Sequence, residues 1–322
     1  MKLVFMGTPD FSVPTLEKLI ESKHEIALVV TQPDRPKGRS GKPAFSPVKE
    51  CAIAHNIKVS QPERIRGNEE FINELREINP DAIIVIAFGQ ILPKEVIEMP
   101  KYGCINIHAS ILPKYRGAAP IQWAVIDGLK ETGVTIMAMD EGLDTGDILE
   151  VGKLELDKEE TGGSLFDKLS FMGGPLLLET LDKFEAGTIE RVKQNDEEST
   201  YAKKLSKQTG EIDFNMSAVE IERLVRGLNP WPSAYTHMNG KMLKIWKSEV
   251  VESIDDINGF VKKEGFNNEP SEVAGKTKNA LYVKCKDNYL AIYELQLEGK
   301  KRMDTTSFLL GYNLEDIPNK LS

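Results

Sequence analysis

DAIIVIAFGQILPKEVIEMPKYGCINIHA, residues 81–109, holds two strand-like runs, DAIIVIAFG (81–89) and GCINIHA (103–109). Their apolar residues are consecutive and do not alternate with polar ones, the mark of strands buried on both faces in a mostly parallel sheet. Working outward, LVFMG (3–7), EIALVVT (25–31) and IKVSQ (57–61) have the same character. Helix-spaced segments separate them: TLEKLIES after Pro14, FSPVKECAIAH (45–55) and NEEFINELREIN (68–79). Parallel neighbours need a helical crossover, so strand and helix in alternation predict an α/β, Rossmann-like domain with a parallel-rich sheet. The pattern runs on through TGVTIMAMD (132–140) and DILEVGKLEL (147–156). It closes with SLFDKLSFMGGPLLLETLDKFEAG (164–187), expected as a helix interrupted near Gly173 and Gly174.

The first domain is therefore expected over 1–187. Residues 188–210 are polar without a sustained apolar period and read as a linker. From 211 to 322 a helix, SAVEIERLVRGL (217–228), precedes strand signals. HMNGKML (237–243) carries an Asn-Gly hairpin pair, and ALYVKCKDNYLAIYELQ (280–296) alternates around a Lys-Asp-Asn turn. A smaller, mainly β barrel or sandwich follows from these.

A length of 322 residues exceeds what one ordinary core organises, and 40% hydrophobic with 28% charged residues excludes a disordered or fibrous chain. No apolar run approaches the roughly 20 residues that span a bilayer. MKLVFMGTPD enters a strand directly, so no membrane partner and a cytoplasmic location are expected. Cys51, Cys104 and Cys285 are odd in number and lack CxxC spacing, which argues against a disulfide framework or a zinc site. The formal charge of −9 argues against nucleic-acid binding through the overall field. The acidic excess lies almost wholly before Leu205.

A Rossmann-like amino terminus raises the possibility of a dinucleotide, but the first turn reads GTPDFS (7–12). Only Gly7 of G-x-G-x-x-G is present, so NAD and FAD are not expected as ligands and Gly7 reads as a tight-turn residue. In GCINIHAS (103–110), Asn106 and His108 share one strand face while Ile105 and Ile107 pack on the other. Two polar side chains at the carboxyl end of a buried strand are costly unless bonded or used, and that end is where open α/β sheets bind ligands. LPKYRGAAPIQWAV (112–125) is a loop opening into a helix with Pro120 in its first turn. MDEGLDTGDIL (139–149) supplies Asp140, Asp144 and Asp147 without a calcium-loop pattern. No metal is expected; a carboxylate from this loop meeting His108 is the simpler reading. His24, His55 and His237 lack metal-ligand spacing, Met137 and Met139 read as core, and Trp231 reads as a packing anchor between the domains.

Asn106, His108, the block HASILPKYRGAAPIQ (108–122) and Asp144 in GLDTGDIL together resemble the folate-dependent formyltransferases. FMGTPDFSVPTL (5–16), VVTQPDRPKGR (29–39), SPVK (46–49) and NPWPSAYT (229–236) narrow the resemblance to the members that formylate methionyl initiator tRNA, over essentially the whole chain. Ile111 and Trp123 depart from the commoner family residues. The resemblance implies 10-formyltetrahydrofolate as donor, charged initiator tRNA as partner, a monomer, and an OB-like second domain contacting tRNA. It implies Asn106, His108 and Asp144 as catalytic residues. It also implies folate contacts from Ser110, Ile111, Leu112 and Pro113, with Phe88, Gly89 and Gln90 beside them.

The tract PDRPKGRSGKPAFSPVK (33–49) carries Arg35, Lys37, Arg39, Lys42 and Lys49 in an otherwise acidic domain. A charge run is usually a solvated face. Because the tRNA-modifying members have an insertion here, the resemblance implies phosphate contacts from Arg35, Lys37, Arg39 and Lys42, Arg39 foremost. Lys241, Lys244, Lys247 and Lys300 to Arg302 are weaker candidates for a continued track. Competing expectations are a formyltransferase acting on an amino-sugar nucleotide, a hydrolase of the same donor, and a module that binds RNA without catalysis.

Overall fold

The computed structural model describes residues 1–36 and 43–322. By internal packing they form two compact units, Met1–Pro120 with Glu131–Glu155 and Phe166–Ala202, and Ile121–Lys130 with Leu156–Leu165 and Lys203–Ser322.

The first unit is built on strands β1 (Lys2–Gly7), β2 (Glu25–Val30), β3 (Val59–Ser60), β4 (Ala82–Ile86), β5 (Cys104–His108), β6 (Glu131–Ala138) and β7 (Ile148–Glu155). They lie in the order β7-β6-β5-β4-β1-β2-β3. The five from β5 to β3 are parallel, as expected from their unbroken apolar runs. β6 and β7 instead run antiparallel, joined as a hairpin whose loop carries Asp140 to Asp147. Helices α1 (Val13–Ile20), α2 (Pro47–Ala54) and α3 (Glu69–Ile78) make the early crossovers. The side chains of Ser46 and Asn68 accept the backbone N–H of Lys49 and Phe71, capping α2 and α3, and Asn79 ends α3 in the left-handed conformation. The chain turns from β1 to β2 on one side and later adds β4 and β5 on the other. That reversal opens the carboxyl ends of β1 and β4 as a binding crevice.

Gly7 is not needed for a left-handed turn. A Cβ there would lie 2.9 Å from the Phe5 ring and 3.1 Å from the Ile86 carbonyl oxygen, so close packing of β1 on its neighbours excludes a side chain. After the short α4 (Lys94–Ile97) and α5 (Pro120–Ile126) comes α6 (Gly162–Ala186), which is unbroken across Gly173, Gly174 and Pro175, contrary to the expected interruption. A Cβ on Gly173 would lie 3.1 Å from both Ile107 and Thr15. The glycines let the helix approach the back of β5, and that packing offsets their poor helix propensity.

The expected linker is not free. Val192 bridges Ile148, Tyr201–Ala202 pairs in parallel with Arg116–Gly117, and residues 188–202 belong to the first unit. Residues 121–130 join the second unit, where Gly227 packs against Ile126 so closely that a Cβ would come within 2.5 Å.

The second unit pairs β8 (Ala234–Met238), β9 (Lys241–Val251), β12 (Tyr289–Leu297), β11 (Leu281–Lys284) and β10 (Val273–Lys276), in that order and antiparallel. The hairpin from β8 to β9 turns at Asn239-Gly240, both with positive φ, as the dipeptide predicts. α7 (Ala218–Gly227) begins with a reciprocal capping box between Ser217 and Glu220 and buries Ile221, Leu224 and Val225. Trp231, expected as a packing anchor, is 57% exposed. No helix among the described residues is long and apolar enough to cross a membrane.

Candidate active site

β5 places Asn106 and His108 on the face opposite Ile107, whose side chain meets α6 at Gly173. His108 is buried, and its Nε2 lies 2.8 Å from the carbonyl oxygen of Tyr115. A carbonyl only accepts, so Nε2 carries a hydrogen and donates it. The other ring nitrogen, Nδ1, faces Asp144 Oδ2 at 3.7 Å, close enough for charge attraction and too long for a direct hydrogen bond. That carboxylate oxygen also accepts the backbone N–H of Gly117 at 2.8 Å. Of the three loop aspartates only Asp144 meets His108. Asp140 builds the loop, accepting from Gly142 N at 3.0 Å and Thr145 Oγ1 at 2.7 Å.

Asn106 lines a cleft of about 100 Å³ together with Gln90, Ile91, Leu92, Met139 and Leu143. Its amide has no hydrogen bond to another described residue. Ile91 is 82% and Leu143 58% exposed, which puts two apolar side chains at the rim of a cleft with an unshared amide inside. Asp140, Glu141 and Asp144 complete the lining, and apolar walls with polar groups along one side are what a flat ring with a polar edge needs. A larger cleft of about 480 Å³ opens at the crevice between β1 and β4, lined by Thr8, Gln32, Asp34, Arg35, Phe45 and Gly89. Gly89 lines the larger cleft, and the next two residues, Gln90 and Ile91, line the smaller.

The segment expected to contact folate is placed differently. Ser110 Oγ donates to Lys114 O at 2.7 Å, Ser110 O accepts from Thr135 Oγ1 at 2.6 Å, and Leu112 is buried, with its N–H on Thr135 Oγ1. Ile111 and Pro113 are half-buried, and none of residues 110–113 lines the Asn106 cleft. The Phe88 side chain is in the core, its carbonyl taken by Thr8 and Gln32. Gln90 lines the cleft while its amide ties Ile65 N to Pro62 O. Sequence reasoning missed Ile91, Met139 and Leu143; the available signal was a large apolar residue inside each of two polar loops.

Among the basic candidates, Arg35 is exposed. Lys37, Arg39 and Lys42 lie outside the described residues. Lys49 is spent within the fold, its Nζ 2.5 Å from Asp34 Oδ2 and 2.7 Å from Gln61 Oε1, and those bonds from Lys49 and Gln61 hold the Asp34 carboxyl below its ordinary range. Burial pushes the Cys104 thiol far up and Cys285 up to about 12, so both are neutral thiols without nucleophilic character at neutral pH.

Comparison with known proteins gives two family matches: formyl transferase over residues 1–181 and formyl transferase, C-terminal domain, over residues 204–313. The chain is 59% identical to a methionyl-tRNA formyltransferase of Lachnospira eligens, with 98% of each chain covered. It is 55% identical to one of Agathobacter rectalis over the same shares. Among solved structures, an N-formyltransferase from Helicobacter canadensis, in complex with folinic acid and dTDP-3-aminofucose, superposes with a TM-score of 0.65 at 21% identity, covering 91% of this chain and 98% of that one. At that identity the likeness is one of fold.

Proposed function

The chain belongs to the methionyl-tRNA formyltransferase family, and from that premise we propose how its residues move a formyl group from 10-formyltetrahydrofolate to the amino group of methionine on initiator tRNA. The observation that carries the reading is one side of β5: Asn106 with its amide unshared, beside a His108 ring held between the Tyr115 carbonyl and Asp144.

The donor supplies an electrophilic formyl carbon and a nitrogen leaving group. Attack by an amine on such a carbon throws negative charge onto the formyl oxygen, and donors fixed in advance for that charge are the main source of rate. The Asn106 amide is one donor. Because Nε2–H of His108 is committed to Tyr115, the ring's second donor position is Nδ1, which Asp144 Oδ2 faces from 3.7 Å. Asp144 Oδ1 bonds to no described residue and accepts the proton of the attacking amine through a water. Collapse of the oxyanion then breaks the bond between the formyl carbon and the donor nitrogen, which leaves as the amine of tetrahydrofolate carrying the proton that Asp144 returns through the same water. The Asn106 cleft fits the donor's ring system, with Ile91 and Leu143 against its faces. The larger cleft, bounded by the described arms of the 33–49 tract, suits the aminoacyl end of the tRNA. A cytoplasmic monomer completes the proposal.

The test measures tetrahydrofolate release with charged methionyl initiator tRNA, with a UDP-amino sugar, and with no acceptor. Release should require the tRNA, with formyl recovered on its methionine. Sugar-dependent release would replace the acceptor, and release with no acceptor would make the protein a hydrolase.

Arg39→Ala addresses the basic tract. If Arg39 contacts phosphate, its loss should raise KM for the tRNA about tenfold at low salt, with the gap from wild type narrowing as salt rises because one phosphate contact fewer flattens the salt dependence, and leave the donor KM within about twofold. Equal loss for both substrates would contradict a tRNA contact.

A further inference from the structure

We propose that Gln194 and Thr200 are positioning residues which, from one strap of chain, set the two groups that grip the His108 ring. The inference rests on the catalytic reading above and adds residues to it.

The grip depends on two loops in unusual conformations. Tyr115 and Asp144 both adopt left-handed backbone, with φ of 59° and 55°. A non-glycine residue stays there only where its surroundings over-determine it. The strap supplies that determination on each side. Gln194 Nε2 donates to the carbonyl oxygens of Asp144 at 2.9 Å and Gly146 at 2.7 Å, pinning the loop from which the carboxylate projects. Thr200 Oγ1 accepts the N–H of Tyr115 at 2.8 Å, and Thr200 O accepts the N–H of Arg116 at 2.9 Å, fixing the peptide that offers its carbonyl to Nε2.

The Gln194 amide has one permitted orientation. Arg116 is buried, and its Nε and Nη2 donate to Gln194 Oε1 at 3.0 and 2.8 Å, with Nη2 also 2.8 Å from Asp196 Oδ1. A guanidinium has only donors, so the amide oxygen must face Arg116 and the NH₂ must face the two carbonyls. A flipped amide would set NH₂ against guanidinium and oxygen against two carbonyls. Arg116 thus locks Gln194, Gln194 locks Asp144, and Thr200 sets Tyr115 from the same seven residues of chain, 194–200. The first unit contains them all.

The test uses the full chain with saturating tRNA and donor. Gln194→Glu keeps an acceptor for Arg116 and loses both donors to the loop; Thr200→Val keeps the shape and loses the acceptor for Tyr115. Each should lower kcat by about 10- to 100-fold, the scale of a misplaced catalytic group. Both KM values should stay within about threefold of wild type, while the His108 ring nitrogen resonances move. Glu197→Ala, on the same strap and without a bond to either loop, should leave kcat and those resonances unchanged. On an Asp144→Ala background Gln194→Glu should cost less than about twofold more, because its effect passes through Asp144. Wild-type kcat in both strap variants, or an undiminished cost of Gln194→Glu without Asp144, would overturn the proposal. Thr200→Val, which changes no volume, answers for the strap should Gln194→Glu fold poorly. His108→Ala runs alongside: wild-type turnover there would sink the catalytic reading itself, a result separate from any failure of the strap.

Discussion

His108→Ala should lower kcat by about a thousandfold while the protein folds and binds tRNA with near wild-type affinity. Removing one donor aimed at a developing oxyanion costs about 10²–10³ in rate, and the His108 ring is also the group that Asp144 Oδ2 faces at 3.7 Å. Deleting the ring loses the donor and leaves Asp144 Oδ2 with only the Gly117 N–H as partner, so the upper end of that range applies. The cost falls on kcat, because neither cleft depends on the imidazole for its walls. Single-turnover formylation, tRNA binding and a thermal melt together check the expectation. A variant within threefold of wild type in rate would remove His108 from the chemistry, and a lost melting transition would make the side chain structural.

Gly146→Ala is the second large effect, and it comes from a residue with no chemistry of its own. A Cβ on Gly146 would lie 1.8 Å from the carbonyl oxygen of Ala138, 2.9 Å from its carbonyl carbon and 3.3 Å from Asp140 N. All three are backbone atoms at the neck of the hairpin joining β6 to β7, where Ala138 N also bonds Asp147 O at 2.9 Å. No rotamer can relieve such a clash. The neck must open by an ångström or more, moving Asp144, two residues away. Displacements of that size cost about 10²-fold in rate, and forcing a methyl into a packed site costs about 1–3 kcal/mol in stability. Kinetics and denaturant unfolding of the same preparation read both effects. Turnover within threefold of wild type would mean that the hairpin tolerates the opening and that Asp144 holds its place without it.

The sequence revealed most where burial left a simple periodic trace. Continuous apolar runs marked β1, β2, β4 and β5, and the i, i+2 relation put Asn106 and His108 on one face; both are as the structure has them. The same trace misled at β6, since a strand buried on both faces reads alike whether its neighbours run parallel or antiparallel. The unbroken α6 was hidden because Gly173 and Gly174 answer to their tertiary partners Ile107 and Thr15, which no local window contains. Leu143 was an isolated apolar residue in a polar loop and Ile91 one of an adjacent pair with Leu92, and neither carried a period. The strap was the least legible element. It is held by backbone pairing and by the amide of Gln194, so its residues are as polar as those of a true linker.

That strap also decides where the chain can be cut. A polypeptide ending at Gly187, near the end of the amino-terminal family match at residue 181, would retain Asn106, His108 and Asp144 and shed Gln194 and Thr200. Ending after Ala202 would retain both residues and the pairing of Tyr201–Ala202 with Arg116–Gly117. The same holds for proteolysis: a nick between Gly187 and Gln194 would spare every proposed catalytic side chain while severing the strap's covalent connection to α6. Any domain exchange between relatives has to carry residues 188–202 along with the amino-terminal partner.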